Sequence, residues 1–578
     1  MKGRQKVTES LLKKVFNSLL EGFALWRKAE SHIAVIKALR SRIMFSGACC
    51  LIIFLVILYR LADVMIISRY MQIPNQTFNQ EEIIQKADIV DRNGELLATS
   101  LTTASCYADP SVVIDIEETA SRLSKIQGMP NAEKIKQKLR DKNKHFVWIT
   151  RHVTPGMQEK VMDLGLPGIK FQKDYKRIYI YGNLFSHTIG YTDIDGTGMC
   201  GLERQFSDEL KQHGLSGKRL VTTLDLRLQS IVHEELSNAI KKYSAQGGNG
   251  ILMKSNGELL AVVSLPDYNP NDLKHVKIEN MFNRNTLGVF EQGSIMKILN
   301  VAIALDSGYA NPGSIFDATE PIRIGRFKIT DFKGKHRPLT LAEAFVYSSN
   351  IASAKMAQMF GAKIQQEYMR KLGMLGTSEV ELPERGRAIV PAYWSDITCM
   401  TISYGYGLAS TPLQTLTAVA SIVNDGIKVC PTLLQRKFQN NSTNERIVSR
   451  ETSALVREMM RAVVCYGTGK KADIPGISII GKTGTAYKLK GRGYGSDGNR
   501  QRITTFIGGF PKDKPQYMLL VSLDDPKATP ETCGYATAGW NIAPTAHKIF
   551  ERIIPILNDG TIQKESPLKI VKYLKLDK

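Results

Sequence analysis

Cysteine is scarce in this chain. Eight stand among 578 residues, and none forms a C-x-x-C pair. Thioredoxin-like redox chemistry and cysteine-ligated zinc therefore have no footing in the sequence. The nine histidines never fall at metal-ligand spacing, so neither a metal nor a cofactor is expected. A Walker loop, a zinc-finger spacing and an RNP-like aromatic block are all missing, and with them the usual grounds for binding nucleic acid. No internal repeat recurs, which argues against a solenoid. Acidic residues are in deficit: 55 Asp and Glu face 77 Lys and Arg, for a net charge of +22 and a pI near 9.5. Such a balance suits an anionic lipid surface, a nucleic acid or an anionic polymer, and it also follows from a lysine-rich proteome. Long apolar runs are missing as well, with one exception.

That exception is residues 43–59, IMFSGACCLIIFLVILY, 17 residues without a charge. This is the short end of what crosses a bilayer core, about 17 to 25 residues. Arg60 can snorkel to the interface, and the apolar residues 64–67 extend the reading to a single span over 43–67. A cleaved signal peptide does not fit, because 42 residues precede the run and no small-x-small site follows it. Residues 1–42 hold ten Lys and Arg against Glu9, Glu21 and Glu30. The positive-inside rule puts this basic tail in the cytoplasm and the rest of the chain in the periplasm, anchored in the inner membrane. Nucleic-acid partners are excluded by that topology.

The length calls for roughly three or four units. Residues 68–244 read as short mixed elements. "ADIVDRNGELLATS" is a strand, an Asn93-Gly94 turn and a second strand. Leu228, Ile231, Val232 and Leu236 lie on one helical face. At Gly247-Gly248 the composition changes, and two β-rich runs joined by Ser255-Asn256-Gly257 open a new domain over 245–558. Helices fill its middle and a second group of strands comes late, which implies one α+β domain whose sheet is completed by distant segments. Residues 559–578 are lysine-rich and read as a loosely attached tail. The six exported cysteines, from Cys106 to Cys533, have spacings that leave their pairing open.

"FEQGSIMKILN" raises the chemical question. Ser294 and Lys297 form an S-x-x-K pair, but so do Ser10 with Lys13 and Ser566 with Lys569. The first competitor lies on the cytoplasmic side and the second in the tail. Ser294 follows Gly293 at the start of an apolar helix, where free N–H groups favour developing negative charge. Lys297 shares its face, and its neighbours Met296, Ile298 and Leu299 desolvate it toward a neutral amine. An isolated S-x-x-K is ordinarily a helix cap with an exposed lysine. Two further segments change this. Ser348-Ser349-Asn350 sits at a junction between helical stretches, where a hydroxyl and an amide suit proton relay and a substrate amide. Lys482-Thr483-Gly484-Thr485 ends an apolar strand and holds the chain's one K-[ST]-G. Gly484 lets a substrate backbone lie against the strand, Thr483 and Thr485 offer hydroxyls to a carboxylate, and the N–H groups of Ser294 and Thr485 form a candidate oxyanion hole.

S-x-x-K, S-x-N and K-T-G in this order, about 50 and about 130 residues apart, resemble the signature of penicillin-binding proteins and class A β-lactamases. The resemblance is wider. "IVDRNGELLA", "HTIGYTDIDGTGMCGLE", "TLDLRLQ", "RPLTLAEAFVYSSN", "SYGYGLASTPLQ", "YGTGKKA" and "YATAGWNIAP" are similar to class B penicillin-binding proteins of the division type, the FtsI-like peptidoglycan D,D-transpeptidases. Two departures stand out: Gln292 where the family has proline, and Lys176-Arg177-Ile178-Tyr179-Ile180 where it has Arg-Arg-x-Tyr-Pro.

The resemblance implies an elongated pedestal of the dimerisation type over 68–244. It also implies a penicillin-binding domain over 245–558, whose sheet is flanked by helices with an all-helical subdomain. It implies that Ser294 attacks the D-Ala–D-Ala carbonyl of a stem peptide, drawn from lipid II-derived strands, and that Lys297 takes its proton. Ser348 relays a proton and Lys482 tunes that path. Asn350 holds the donor amide, and Thr483 and Thr485 hold its carboxylate. An amine from a neighbouring stem resolves the ester, and β-lactams inhibit by mimicking the donor. The implied partners are a SEDS-type glycosyltransferase (FtsW-like) and other divisome membrane proteins. The competing readings are a D,D-carboxypeptidase or β-lactamase with water as acceptor, and a non-catalytic scaffold.

Overall fold

The computed structural model describes Lys14, Tyr494 and residues 32–62, 85–325, 327–435, 445–488, 500–557 and 566–575. Two units form, Met1–Glu82 and Ile83–Lys578. In the first, helix α1 (His32–Ala62) contains Arg40–Leu61, among the described residues the one helix long and apolar enough to cross a membrane. The expected span ran on to residue 67, and residues 63–67 lie outside the described ones, as does the pair Ser10 and Lys13.

In the second unit the expected hairpin is present. β1 (Ile89–Val90) passes through Gly94, at a φ of +91° that glycine adopts without a Cβ penalty, into the long β2 (Leu96–Ala108). β2 pairs antiparallel with β3 (Val147–Val153) and β4 (Ile169–Tyr179), while β5 (Leu220–Val221) adds parallel to β1. Leu123, Ile135, Leu139 and Val161, from the short helices α2 (Ile116–Ser124), α3 (Ala132–Leu139) and α4 (Pro155–Asp163), bury one face of this sheet against Cys106, Ala108 and Ile149. The departure at 176–180 lies on a buried ion cluster. Arg177 donates to Glu203 at 2.5 Å and to the Ala87 carbonyl at 2.8 Å, and Lys86 completes a buried cluster by bonding Glu203 at 3.1 Å. Ile180 uses the N–H that a proline would lack, donating to Leu97 O at 3.0 Å.

α5 (Leu226–Lys242) shows the predicted apolar face. Its packing differs from the domain reading, which placed it before a boundary near 245. Leu228, Val232 and Leu236 cover the second sheet, so by packing the helix belongs to the domain that contains that sheet. The sheet has β10-β11-β12-β6-β7 as its order: β6 (Gly247–Lys254), β7 (Leu259–Leu265), β10 (Ile480–Tyr487), β11 (Arg502–Phe510) and β12 (Tyr517–Asp524), all antiparallel. Early and late strands meet as expected. The period-2 alternation of β12 serves two cores. Leu519, Val521 and Leu523 face α5 and α12 (Ile542–Leu557), and Met518 and Leu520 face a helical layer on the other side. That layer includes α6 (Met296–Asp306), α7 (Leu341–Val346), α8 (Asn350–Lys371), α9 (Asp396–Ser403), α10 (Pro412–Val423) and α11 (Arg450–Tyr466). Two short strands, β8 (Phe290–Glu291) and β9 (Ala409–Ser410), pair beside the start of α6.

Among the described residues Cys49, Cys50, Cys106, Cys200, Cys399, Cys430 and Cys533 are free thiols. The tail reading is corrected for residues 566–575, which are docked. Ile570 is 1% exposed, Thr340 Oγ1 donates to Tyr573 O at 2.8 Å, and the Lys575 N–H donates to Glu343 at 3.0 Å. Ser566 pairs with the buried Lys512 at 2.8 Å rather than with Lys569.

Candidate active site

The approach to Ser294 is set by backbone contacts. Gly293 has a φ of +53°, and a Cβ there would stand 2.6 Å from Thr485 O. A Cβ on Gly484 would meet Gln292 O at 2.8 Å. The turn carrying Ser294 therefore lies directly against the K-T-G strand, and any side chain at either glycine would force them apart. Gln292 is a tie of its own: buried, it donates to Phe290 O at 3.1 Å and to Ser410 O at 3.0 Å, stitching β8 and β9 to the start of the catalytic turn. Residues 293–295 form one turn of 3-10 helix that feeds α6, so Ser294 stands at a helix start as predicted.

Lys297 projects from the first turn of α6 and is 1% exposed. Its ammonium donates to Ser348 O at 2.6 Å, Ser348 Oγ at 3.1 Å and Asn350 Oδ1 at 2.7 Å. Lys482, on β10 and fully buried, donates to the same Ser348 Oγ at 3.0 Å. One hydroxyl thus sits between two buried amines. Ser348 holds a φ of +61°, a strained conformation for a non-glycine residue, which places its Oγ at that crossing. Burial and then the charge of Lys482 hold Lys297 well below the ordinary lysine range, with Asp331 opposing. Burial pulls Lys482 down to about 7. Two like charges sharing one hydroxyl favour loss of one proton from the pair.

Ser294 is half-buried and lines a cavity of about 610 Å³ together with Ser348, Asn350, Thr483 and Thr485. Among the described residues its Oγ makes no hydrogen bond, so the expected Ser294–Lys297 bond is not formed; the lysine is turned toward Ser348 and Asn350. All eight residues singled out in the sequence converge on this region.

The structure adds groups the motifs did not reveal. Asp331 accepts from the N–H groups of Asn350 and Ile351 at 2.5 and 3.0 Å and from Ser349 Oγ at 2.7 Å, capping α8. Ser349 is thereby a capping residue, and Asn350 is aimed by a bond from its amide to Thr330 O at 2.8 Å. Thr468 Oγ1 lies 2.5 Å from Thr483 Oγ1, and the Ala538 N–H donates to Thr485 Oγ1 at 3.2 Å. Asp331 carries no local signature, because it reaches the site from a loop. Thr468 lies within the segment YGTGKKA, whose resemblance was visible although its role was not.

A half-buried serine at a helix start, two buried lysines sharing one serine hydroxyl and a hydroxyl-lined strand are the arrangement expected of serine acyltransferases that react with penicillin. The comparisons agree. Residues 248–551 match the penicillin binding protein transpeptidase domain, and residues 85–229 the penicillin-binding protein dimerisation domain. The probable peptidoglycan D,D-transpeptidase FtsI of Caulobacter vibrioides is 34% identical over 484 residues, covering 82% of this chain and 81% of its own. The FtsI of Escherichia coli K12 is 31% identical over 526 residues, covering 83% and 86%. In fold, the chain is similar to penicillin binding protein 3 of Mycobacterium tuberculosis, solved with aztreonam, at a TM-score of 0.65 and 24% identity, covering 84% and 98%. The chain belongs to the penicillin-binding protein family, in its FtsI-type D,D-transpeptidase branch.

Proposed function

We propose that this chain cross-links peptidoglycan stem peptides during septal wall synthesis through an acyl-serine at Ser294. The observation that carries this reading is the Ser348 hydroxyl held between two buried lysines in the cavity that half-buried Ser294 also lines. Lys297, as the neutral amine, takes the Ser294 proton. Oγ attacks the carbonyl between the two terminal D-Ala residues, and the oxyanion meets the N–H groups of Ser294 and Thr485. The amide C–N bond then breaks, and the departing D-Ala amine receives a proton by way of Ser348 and Lys482. Asn350 holds the donor amide. Thr483 and Thr485 hold the donor carboxylate, with Gly484 allowing the peptide to lie close to β10. An acceptor amine from a neighbouring stem attacks the ester and restores Ser294. A β-lactam undergoes the first step and remains as a slow ester.

The basic flank of α1 supports a cytoplasmic N-terminus and a periplasmic catalytic domain. The exposed apolar surface of α1 supports a membrane partner, read as an FtsW-like SEDS glycosyltransferase with other divisome proteins. A fluorescent penicillin is expected to label the purified full chain, and Ser294→Ala to abolish labelling. Label that persists on the variant would overturn the nucleophile. Label that forms on the native chain and is rapidly lost would favour water as acceptor, and with it the β-lactamase reading.

A further inference from the structure

The cavity at Ser294 carries a charge imbalance that the acyl-transfer steps leave unused. Its lining includes Lys333, Lys470, Lys471, Arg500 and Arg502 against one carboxylate, Asp331. That carboxylate is already committed to the N-terminus of α8 and to Ser349. Among the described residues Lys333, Lys470, Lys471 and Arg502 have no carboxylate partner. They arrive from three separate segments: the loop after Asp331, the turn before β10 and the first residue of β11.

Aromatic rings hold three of these cations. Lys333 Nζ lies 4.5 Å from the Tyr535 ring centre, Lys471 Nζ 3.5 Å from Trp540 and the Arg502 guanidinium 5.7 Å from Tyr487. Tyr535 and Trp540 stack on each other with centres 5.8 Å apart. A ring face orients a cation and leaves its charge uncancelled. Cations lining one cavity repel each other and focus a positive field into it, an arrangement that an anionic ligand relieves. One anionic group of the donor, its terminal carboxylate, is already assigned to the threonines of β10. Four cations without a carboxylate partner among the described residues exceed what that single group needs.

We propose that these residues form a subsite for a second free carboxylate on the donor stem, on the peptide preceding the D-Ala–D-Ala pair, with Arg502, Lys471 and Lys333 determining specificity. The proposal rests on the transpeptidase reading and names the substrate class within it: stems that keep a side-chain or branch carboxylate ionised, as against stems amidated there. The fork of Arg502 matches a carboxylate in two-point contact, and the lysines add point charge.

The test uses the full chain in detergent and two synthetic donor peptides ending in D-Ala–D-Ala. They differ in one group on the preceding residue, a carboxylate or its isosteric carboxamide. Release of D-Ala is monitored with a fixed amine acceptor. The free carboxylate is expected to raise kcat/KM by about tenfold, the size of a charge-assisted contact at a partly exposed site. That ratio should shrink as salt rises. It should fall toward one in Arg502→Gln and in Lys471→Gln, and recover in part in Arg502→Lys. Because the readout compares two peptides on one variant, a general loss of folded protein cancels. A native chain that labels at Ser294 with penicillin yet treats both peptides alike overturns the subsite alone. A preference that survives in both variants overturns its assignment to these residues. A chain that fails to label at Ser294 overturns the underlying transpeptidase reading as well.

Discussion

At the scale of single residues, the proposed chemistry turns on which of Lys297 and Lys482 holds a proton. Lys297 acts as a base only in its neutral form. Burial and the neighbouring charge both favour that form, so acylation should rise with pH through a value below the ordinary lysine range. Lys482→Met keeps the site dry but removes the charge. The pKa of Lys297 then rises, and the ascending limb of the acylation profile is expected to move to higher pH. Rates of β-lactam acylation measured across pH would check this, and an unmoved or acid-shifted limb would refute the coupling. Ser348 makes the coupling possible, because its strained backbone brings one hydroxyl within 3.1 Å of both amines.

At the scale of elements, the helix that delivers Ser348 is held from an unexpected direction. α7 begins with a capping box in which Thr340 and Glu343 satisfy each other's backbone N–H groups. Arg337 pairs with the same Glu343 at 2.8 Å, and the docked C-terminal segment adds the Lys575 N–H and the Thr340–Tyr573 bond. The segment also covers Lys512, whose ammonium donates to Glu458 at 2.9 Å and to Ser566. Removing residues 566–578 should expose the pocket of Ile570, worth about 1.5–3 kcal/mol for a fully buried aliphatic side chain. It should also loosen α7. A melting temperature lower by several degrees and slower penicillin acylation are expected. A truncated chain with native melting and native acylation would show that the segment merely rests on the surface. Its lysine-rich composition pointed to solvent, and only the long-range partners reveal the docking.

At the scale of the whole molecule, the apolar helix and the catalytic region lie in separate units, so partner binding and chemistry can be tested apart. Exchanging α1 for an unrelated membrane helix should keep penicillin labelling and abolish co-purification of the proposed SEDS glycosyltransferase partner. Unchanged recovery of that partner would count against recognition through the helix. How much of the molecule was legible in its sequence obeys a physical rule. The span, the Asn93-Gly94 hairpin, the two early strands, the three late ones and the helix after Ser294 all announce themselves locally, through hydropathy, turn chemistry and period. The ordered S-x-x-K, S-x-N and K-T-G motifs carried the site because each is compact in sequence. Asp331, Thr468 and the cations of the cavity wall were not legible as a group, since they come from segments far apart in the chain. The place of α5 was not legible either, because an apolar face does not say which sheet it will cover.

The sequence by itself therefore determined the local elements, the apolar run long enough to cross a membrane and the three motifs proposed to hold the nucleophile, the relay and the carboxylate-binding groups. These depend on near neighbours, whose spacing sets side-chain direction. Only the tertiary structure decided that Ser348 Oγ is shared by two buried lysines, that Gly293 and Gly484 bring the catalytic turn and the K-T-G strand into backbone contact and that four cations face the cavity without a carboxylate partner among the described residues. Those facts depend on desolvation and long-range packing, which no single stretch of the chain contains.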